Sequence, residues 1–121
     1  MKVAYVVLYV NDADACLQFW TNKVGMIEKS RAEVGEFIIP KVGFADQDFG
    51  LELVPLALMH DNPDGLDLAT PSIAFKVDDL ETTHASLIAK GVQTSDIGEH
   101  SGTRSFAFCD NEDRWFAVIP D

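Results

Sequence analysis

The sequence predicts an α+β fold built from two βαβββ modules, and three observations carry that prediction. The stretch VVLYVND at residues 6–12 returns as IAFKVDD at residues 73–79, with apolar residues, a valine and an aspartate at matching places 67 positions further on. Each copy is followed by a segment of helical pattern that ends on a glycine, Gly25 and then Gly91. Each half closes on a similar apolar run, LELVP at 51–55 and FAVIP at 116–120. Landmarks that recur in one order at nearly constant offset indicate a duplicated module.

Taken in order, the first strand places Val6, Leu8 and Val10 on one face and Tyr5, Val7 and Tyr9 on the other, because successive strand residues point to opposite sides. The wholly apolar set is expected to meet the helix. Asp12 reads as the N-cap of that helix, which carries Ala13, Leu17, Trp20 and Val24 at near-helical spacing. Strand-like runs follow, EFIIPKVGF (36–44) being the clearest, and LELVP closes the module with Leu51 and Leu53 toward the helix and Glu52 and Val54 away.

The second half repeats the scheme. Ile73, Phe75 and Val77 take the helix side of its first strand, and Ser72, Ala74 and Lys76 the other. Asp79 caps a helix carrying Leu80, Thr83, Leu87 and Ile88, and RSFAFCD (104–110) and FAVIP complete the module. In the last strand Phe116 and Val118 face the helix and Ala117 and Ile119 face away. The repeat therefore matches Tyr5 with Ser72 and Glu52 with Ala117, and these four positions are expected at one shared concavity. Half of this chain is too short to bury a sheet alone, so residues 1–121 are expected to form a single domain, with modules at about 1–56 and 71–121 joined by a Pro- and Asp-containing linker, 57–70.

Composition narrows the function. Twenty acidic residues against nine basic ones give a formal charge of -11, which repels phosphate backbones and anionic lipid surfaces, so neither nucleic acid nor membrane is an expected partner. No apolar segment approaches the roughly 20 residues needed to cross a bilayer, and the chain is expected to be cytoplasmic. Cys16 and Cys109 lie far apart among apolar neighbours and read as reduced core residues.

The stretches LYVNDADACLQFWTNKVGM (8–26), FKVDDLETTHASLIAKG (75–91) and RSFAFCDNEDRWFAVIP (104–120), in that order, resemble the vicinal oxygen chelate superfamily of glyoxalases, extradiol dioxygenases and bleomycin-resistance proteins. The resemblance implies that the two modules curve into an incomplete mixed-sheet barrel, usually completed or flanked by a homodimer partner. It also implies a site at the inward positions of the first and last strands of each module, where metal-dependent members place His and Glu ligands. Those positions here hold Tyr5, Glu52, Ser72 and Ala117, of which only Glu52 is an ordinary metal ligand. His60, His84 and His100 fall in the linker, on the second helix and before a late strand, with no spacing that joins two of them. The expectation is therefore no cofactor and no catalytic metal, a divalent metal being the alternative.

The residues expected to meet a ligand are Tyr5, Tyr9, Glu52, Ser72, Arg104 and Ala117. Arg104 opens its strand where members of the superfamily often carry a basic residue, and either clamps an anionic group or pairs with a neighbouring carboxylate. The turn 109–115 departs from the superfamily's Asp-Pro-x-Gly, and two registers of the last strand stay open, one turning Ala117 inward and the other Phe116. The functional expectation is a metal-free homodimer that binds a small cationic or aromatic molecule. The alternative is a lyase or isomerase that uses Glu52 as general base.

Overall fold

The computed structural model describes residues 1–121, and the chain divides into two compact units, Met1–Thr70 and Pro71–Asp121. The first unit runs β1 (Val6–Val10), α1 (Ala13–Asn22), β2 (Ile27–Val34), β3 (Phe37–Gly43) and β4 (Leu51–Pro55), followed by a short 3-10 turn at Leu56–Met59. The second runs β5 (Ala74–Val77), α2 (Leu80–Ala89), β6 (Gly98–His100), β7 (Thr103–Cys109) and β8 (Trp115–Pro120). Each unit is thus one βαβββ module. The sheets share one strand order, β1-β4-β3-β2 and β5-β8-β7-β6, with the first strand parallel to the last and every other pair antiparallel.

The duplication extends to the backbone of the helix starts. Asp12 has φ -131° and ψ 100°, Asp79 has φ -130° and ψ 104°, and each helix is ten residues long. Both side chains accept from the backbone N–H three residues on, at 3.0 Å from Ala15 and 2.9 Å from Thr82. Each thereby satisfies a donor that the first helical turn leaves without a partner. Gly91 follows α2 with φ 81°, a conformation open to glycine at little cost, and its N–H reaches the carbonyl of Ile88.

Burial separates the two faces of each sheet. In the first unit Leu8 and Val10 of β1, Val42 of β3, and Leu51 and Leu53 of β4 pack with Cys16, Leu17 and Trp20 of α1. In the second unit Phe106 and Phe108 of β7 and Phe116 and Val118 of β8 are buried, together with Leu80 and Leu87 of α2. The rings of Phe75, Phe108 and Phe116 form a cluster with centroids 5.8 to 6.2 Å apart, within the usual range for aromatic pairs. Three expected helix positions depart: Val24 lies beyond α1, which ends at Asn22, and two positions of α2 are less buried. Ile88 is half exposed and Thr83 only partly buried, because α2 carries fewer apolar positions toward its sheet than α1 does. His84 fills part of that face instead. Its ring meets Phe106 edge-on at 4.8 Å, and its Nε2 donates to the carbonyl of Ser95 at 2.9 Å, tying α2 to the chain before β6.

The β7–β8 turn is closed by side chains in place of Pro and Gly. Oδ1 of the buried Asp110 accepts from the backbone N–H groups of Glu112 (2.8 Å) and Arg114 (2.9 Å). Asp113 takes the left-handed position, φ 65°, that glycine would occupy, and Asp residues tolerate it better than most. The Arg114 guanidinium, largely buried, bonds Oδ2 of Asp110 and the carboxylate of Glu112. Burial opposes its charge, but these bonds outweigh burial and raise its pKa. The turn fixes the register Phe108↔Phe116 and Ala107↔Ala117, with Phe116 in the core. Of the two registers left open by the sequence, the structure takes the one that turns Ala117 away from the helix.

The helix caps give this fold an acid-sensitive element. Bonds from the backbone and side chain of Thr82 lower the Asp79 pKa, and a bond from Arg104 lowers that of Glu81. A carboxylate whose folded pKa is depressed contributes stability that is complete above its unfolded pKa and is lost as pH falls through the folded value. Melting temperature is thus expected to fall between about pH 5 and pH 3. Asp79→Asn keeps a competent cap that does not titrate, so its melting temperature should fall less over the same interval. An equal fall in both proteins would show that Asp79 does not contribute.

Candidate functional site

The faces opposite the helices are where the repeat leads, and cross-strand register defines one row on each. In the first unit Val7 of β1 is opposite Glu52 of β4, and Glu52 is opposite Lys41 of β3. In the second unit the same topological positions hold Ala74, Ala117 and Ala107. One duplicated backbone thus presents a valine, a carboxylate and an ammonium in one copy, and three methyl groups in the other. At this level of the sheets, polar chemistry resides in the first unit.

Backbone approach sets the spacing of the charged row. β3 ends on Gly43 and β4 begins directly after Gly50, where the chains close to a distance that side chains would prevent. A Cβ at Gly43 would lie 2.7 Å from the carbonyl oxygen of Phe49, and one at Gly50 would lie 2.7 Å from that of Val42. The Val42↔Leu51 and Lys41↔Glu52 pairs follow immediately.

Three side chains meet there. Glu52 is half-buried between the buried Leu51 and Leu53. Lys41 is also half-buried, and its Nζ lies 4.0 Å over the centroid of the Tyr5 ring. Tyr5 immediately precedes β1 and is partly exposed, and Tyr9 is half-buried at a position of the same alternation. No ion pair joins Lys41 to Glu52, and neither side chain takes a hydrogen bond. A cation on an exposed ring contributes about 0.5–1 kcal/mol, and a cross-strand charge pair about 0.2–1 kcal/mol. The two arrangements are close in energy, so the ammonium is easily drawn from the ring.

The remaining expected residues belong to the second unit. Ser72 is exposed and precedes β5, and Ala117 lies in the alanine row. Arg104 alternates with the buried Phe106 and Phe108, which puts it on the helix side of β7, where its guanidinium pairs with Glu81 in the first turn of α2. Of the two roles open to it, pairing with a carboxylate is the one observed. Cys109 is buried, and burial, with Asp113 and Asp110 nearby, raises its thiol pKa, which disfavours the reactive thiolate. Lys41 was not among the expected residues. Its signal was a charged side chain within the apolar run FIIPKVG, in alternation with Pro40 and Val42, both buried on the helix side.

These residues do not fit the divalent ion that the vicinal oxygen chelate resemblance implies. Such ions take three or more oxygen, nitrogen or thiolate donors. The first unit offers one carboxylate and a phenol, with an ammonium on the phenol's ring, and the second offers a hydroxyl and a methyl group. No group of three His, Cys, Asp or Glu side chains is placed so that it could hold a metal ion. A separate cavity of about 250 Å³ lies between the start of α1 and the β2–β3 hairpin, lined by Asp12, Asp14, Glu36 and Phe37 among others, and holds none of the expected residues.

Comparison with known proteins places the chain. The family model described as "Glyoxalase/Bleomycin resistance protein/Dioxygenase superfamily" matches residues 2–117, and the chain belongs to that superfamily. A Bacillus subtilis (strain 168) protein, YurT, described as uncharacterized, is 33% identical over 102 residues, covering 76% of each chain. TnmS3, an antibiotic binding protein from Streptomyces sp. CB03234, superposes with a TM-score of 0.80 over 99% of this chain and 95% of its own, at 17% identity. A superfamily member from Sphaerobacter thermophilus DSM 20745 does so with the same TM-score over 100% and 98%, at 16% identity. At such identities the structural likeness establishes the fold alone. No helix is long and apolar enough to cross a membrane.

Proposed function

We propose that this chain is a metal-free, small-molecule-binding member of its superfamily, taking an organic ligand with an aromatic or apolar body on the β1-β4-β3 face of the first unit. The observation that carries this reading is the row Val7–Glu52–Lys41 with Tyr5 beside it: one carboxylate and one ammonium, where a metal site would need several donors. Tyr5 and Tyr9 provide rings on which such a body can lie. TnmS3, whose fold the chain shares, is described as an antibiotic binding protein, which supports a binding role on this scaffold. Elemental analysis after gentle purification is expected to give divalent metal well below one per chain. In a thermal-shift screen of small aromatics run with chelator, Glu52→Gln should weaken binding of polar hits by about 1.5–3 kcal/mol without changing the fold. Stoichiometric metal that is lost on that substitution would overturn the reading.

We further propose a homodimer acting in a reducing cytoplasm. Ile27 and Val34 on the edge strand β2, together with Phe49 and Trp115, are exposed apolar groups that a second copy would cover, and Cys16 and Cys109 are buried thiols outside any disulfide. Sedimentation at micromolar concentration should report twice the chain mass, and a monomer would remove this part of the proposal.

One observation favours a second reading, a lyase or isomerase with Glu52 as general base. Lys41 stands opposite that base and provides a positive charge for an oxyanion formed by proton abstraction. Exchange of solvent deuterium into the carbon beside a substrate carbonyl, abolished in Glu52→Gln, would distinguish turnover from binding.

A further inference from the structure

Lys41 and Glu52 face each other across β3 and β4 without closing on each other. They are Cα partners in antiparallel register, a placement at which opposite charges ordinarily interact. The ammonium lies over the Tyr5 ring instead, and the carboxylate has no donor. Both residues are half-buried, so a ligand that lies over them and meets only one of the charges would cover the other without pairing it, which is unfavourable. A simple cation would be attracted by the carboxylate and by the formal charge of -11, yet would meet the ammonium one strand away. A simple anion would meet Glu52 in the same way.

We infer that this face recognises a small zwitterion, a molecule carrying an anionic oxygen close to a protonated nitrogen, with the oxygen accepting from Lys41 Nζ and the nitrogen donating to the Glu52 carboxylate. This rests on the proposed ligand-binding role of the face and names the chemistry it selects. Selection comes from two neighbouring charges of opposite sign that only a ligand of both signs leaves fully paired. Directly opposed strand residues have Cβ atoms about 5 Å apart, a span that suits charges separated by a few bonds, as in an amino acid. The apolar body of the ligand then lies along Val7 and Tyr9, on the same side of β1.

Three probes of one shape separate the contributions: phenylalanine carries both charges, 3-phenylpropanoate only the carboxylate, and 2-phenylethylamine only the ammonium. By calorimetry, phenylalanine is expected to bind about tenfold or more tighter than either of the others. Lys41→Met, which keeps the aliphatic stem, should reduce phenylalanine to the affinity of the amine, and Glu52→Gln should reduce it to that of the carboxylate. Circular dichroism of both variants verifies the fold. If the amine binds at least as tightly as phenylalanine and Lys41→Met weakens neither, the zwitterion inference fails, while loss of the amine in Glu52→Gln would leave the broader binding role standing. If no probe binds at millimolar concentration, the inference is overturned, and the aromatic screen decides the broader role by itself.

Discussion

The structure depends on one constraint: in each unit the first strand must lie parallel to the last. Parallel neighbours cannot be joined by a tight turn, so a helix and two further strands are placed between them, and the helix is available to cover one face. That pairing puts Leu8 beside Leu53 and Val7 beside Glu52. One register therefore sorts the core from the ligand-facing row, and a slip of one residue would send Glu52 into the hydrophobic core.

The two units show how far one backbone can diverge while the constraint holds. Their N-caps agree to a few degrees, their helices are equally long, and their strands share one order. Their cores differ: the first is built around Trp20, and the second around a cluster of phenylalanines with a histidine as part of its cover. Their opposite faces differ more, with charge in one and alanine in the other. Core positions must still fill volume in both copies, whereas a solvated sheet face carries no such demand and is free to specialise.

Charge on the first unit's face is arranged for availability. An ammonium held by a ring and a carboxylate without a donor are each weakly committed in the folded protein. Several arginines elsewhere are committed. Arg104 is held by Glu81, Arg31 by Glu28, and Arg114 by Asp110 and Glu112. Arg114 and Asp110 are the most buried of these and close a turn, where paired charges and backbone bonds replace the rigidity of proline and the freedom of glycine. These arginines hold the structure, unlike Lys41 and Glu52.

The sequence by itself determined what rests on local chemistry: the repeat, the two Asp caps, the alternation that sends Leu8 and Leu53 inward, and the place of Glu52 on the opposite face. Each of these follows from periods of 2 and 3.6 residues and from groups a few positions apart. Only the tertiary structure decided which residues on different strands meet. Lys41 and Tyr5 are far apart in the chain, and their contact depends on how β3 and β1 flank β4. Arg104 had a helix carboxylate within reach only once α2 was laid against β7. The last register was settled by Asp110 turning its carboxylate back on its own turn. Pairing across strands is set by closure of the sheet and by competition among partners of similar energy, and one-dimensional pattern carries neither.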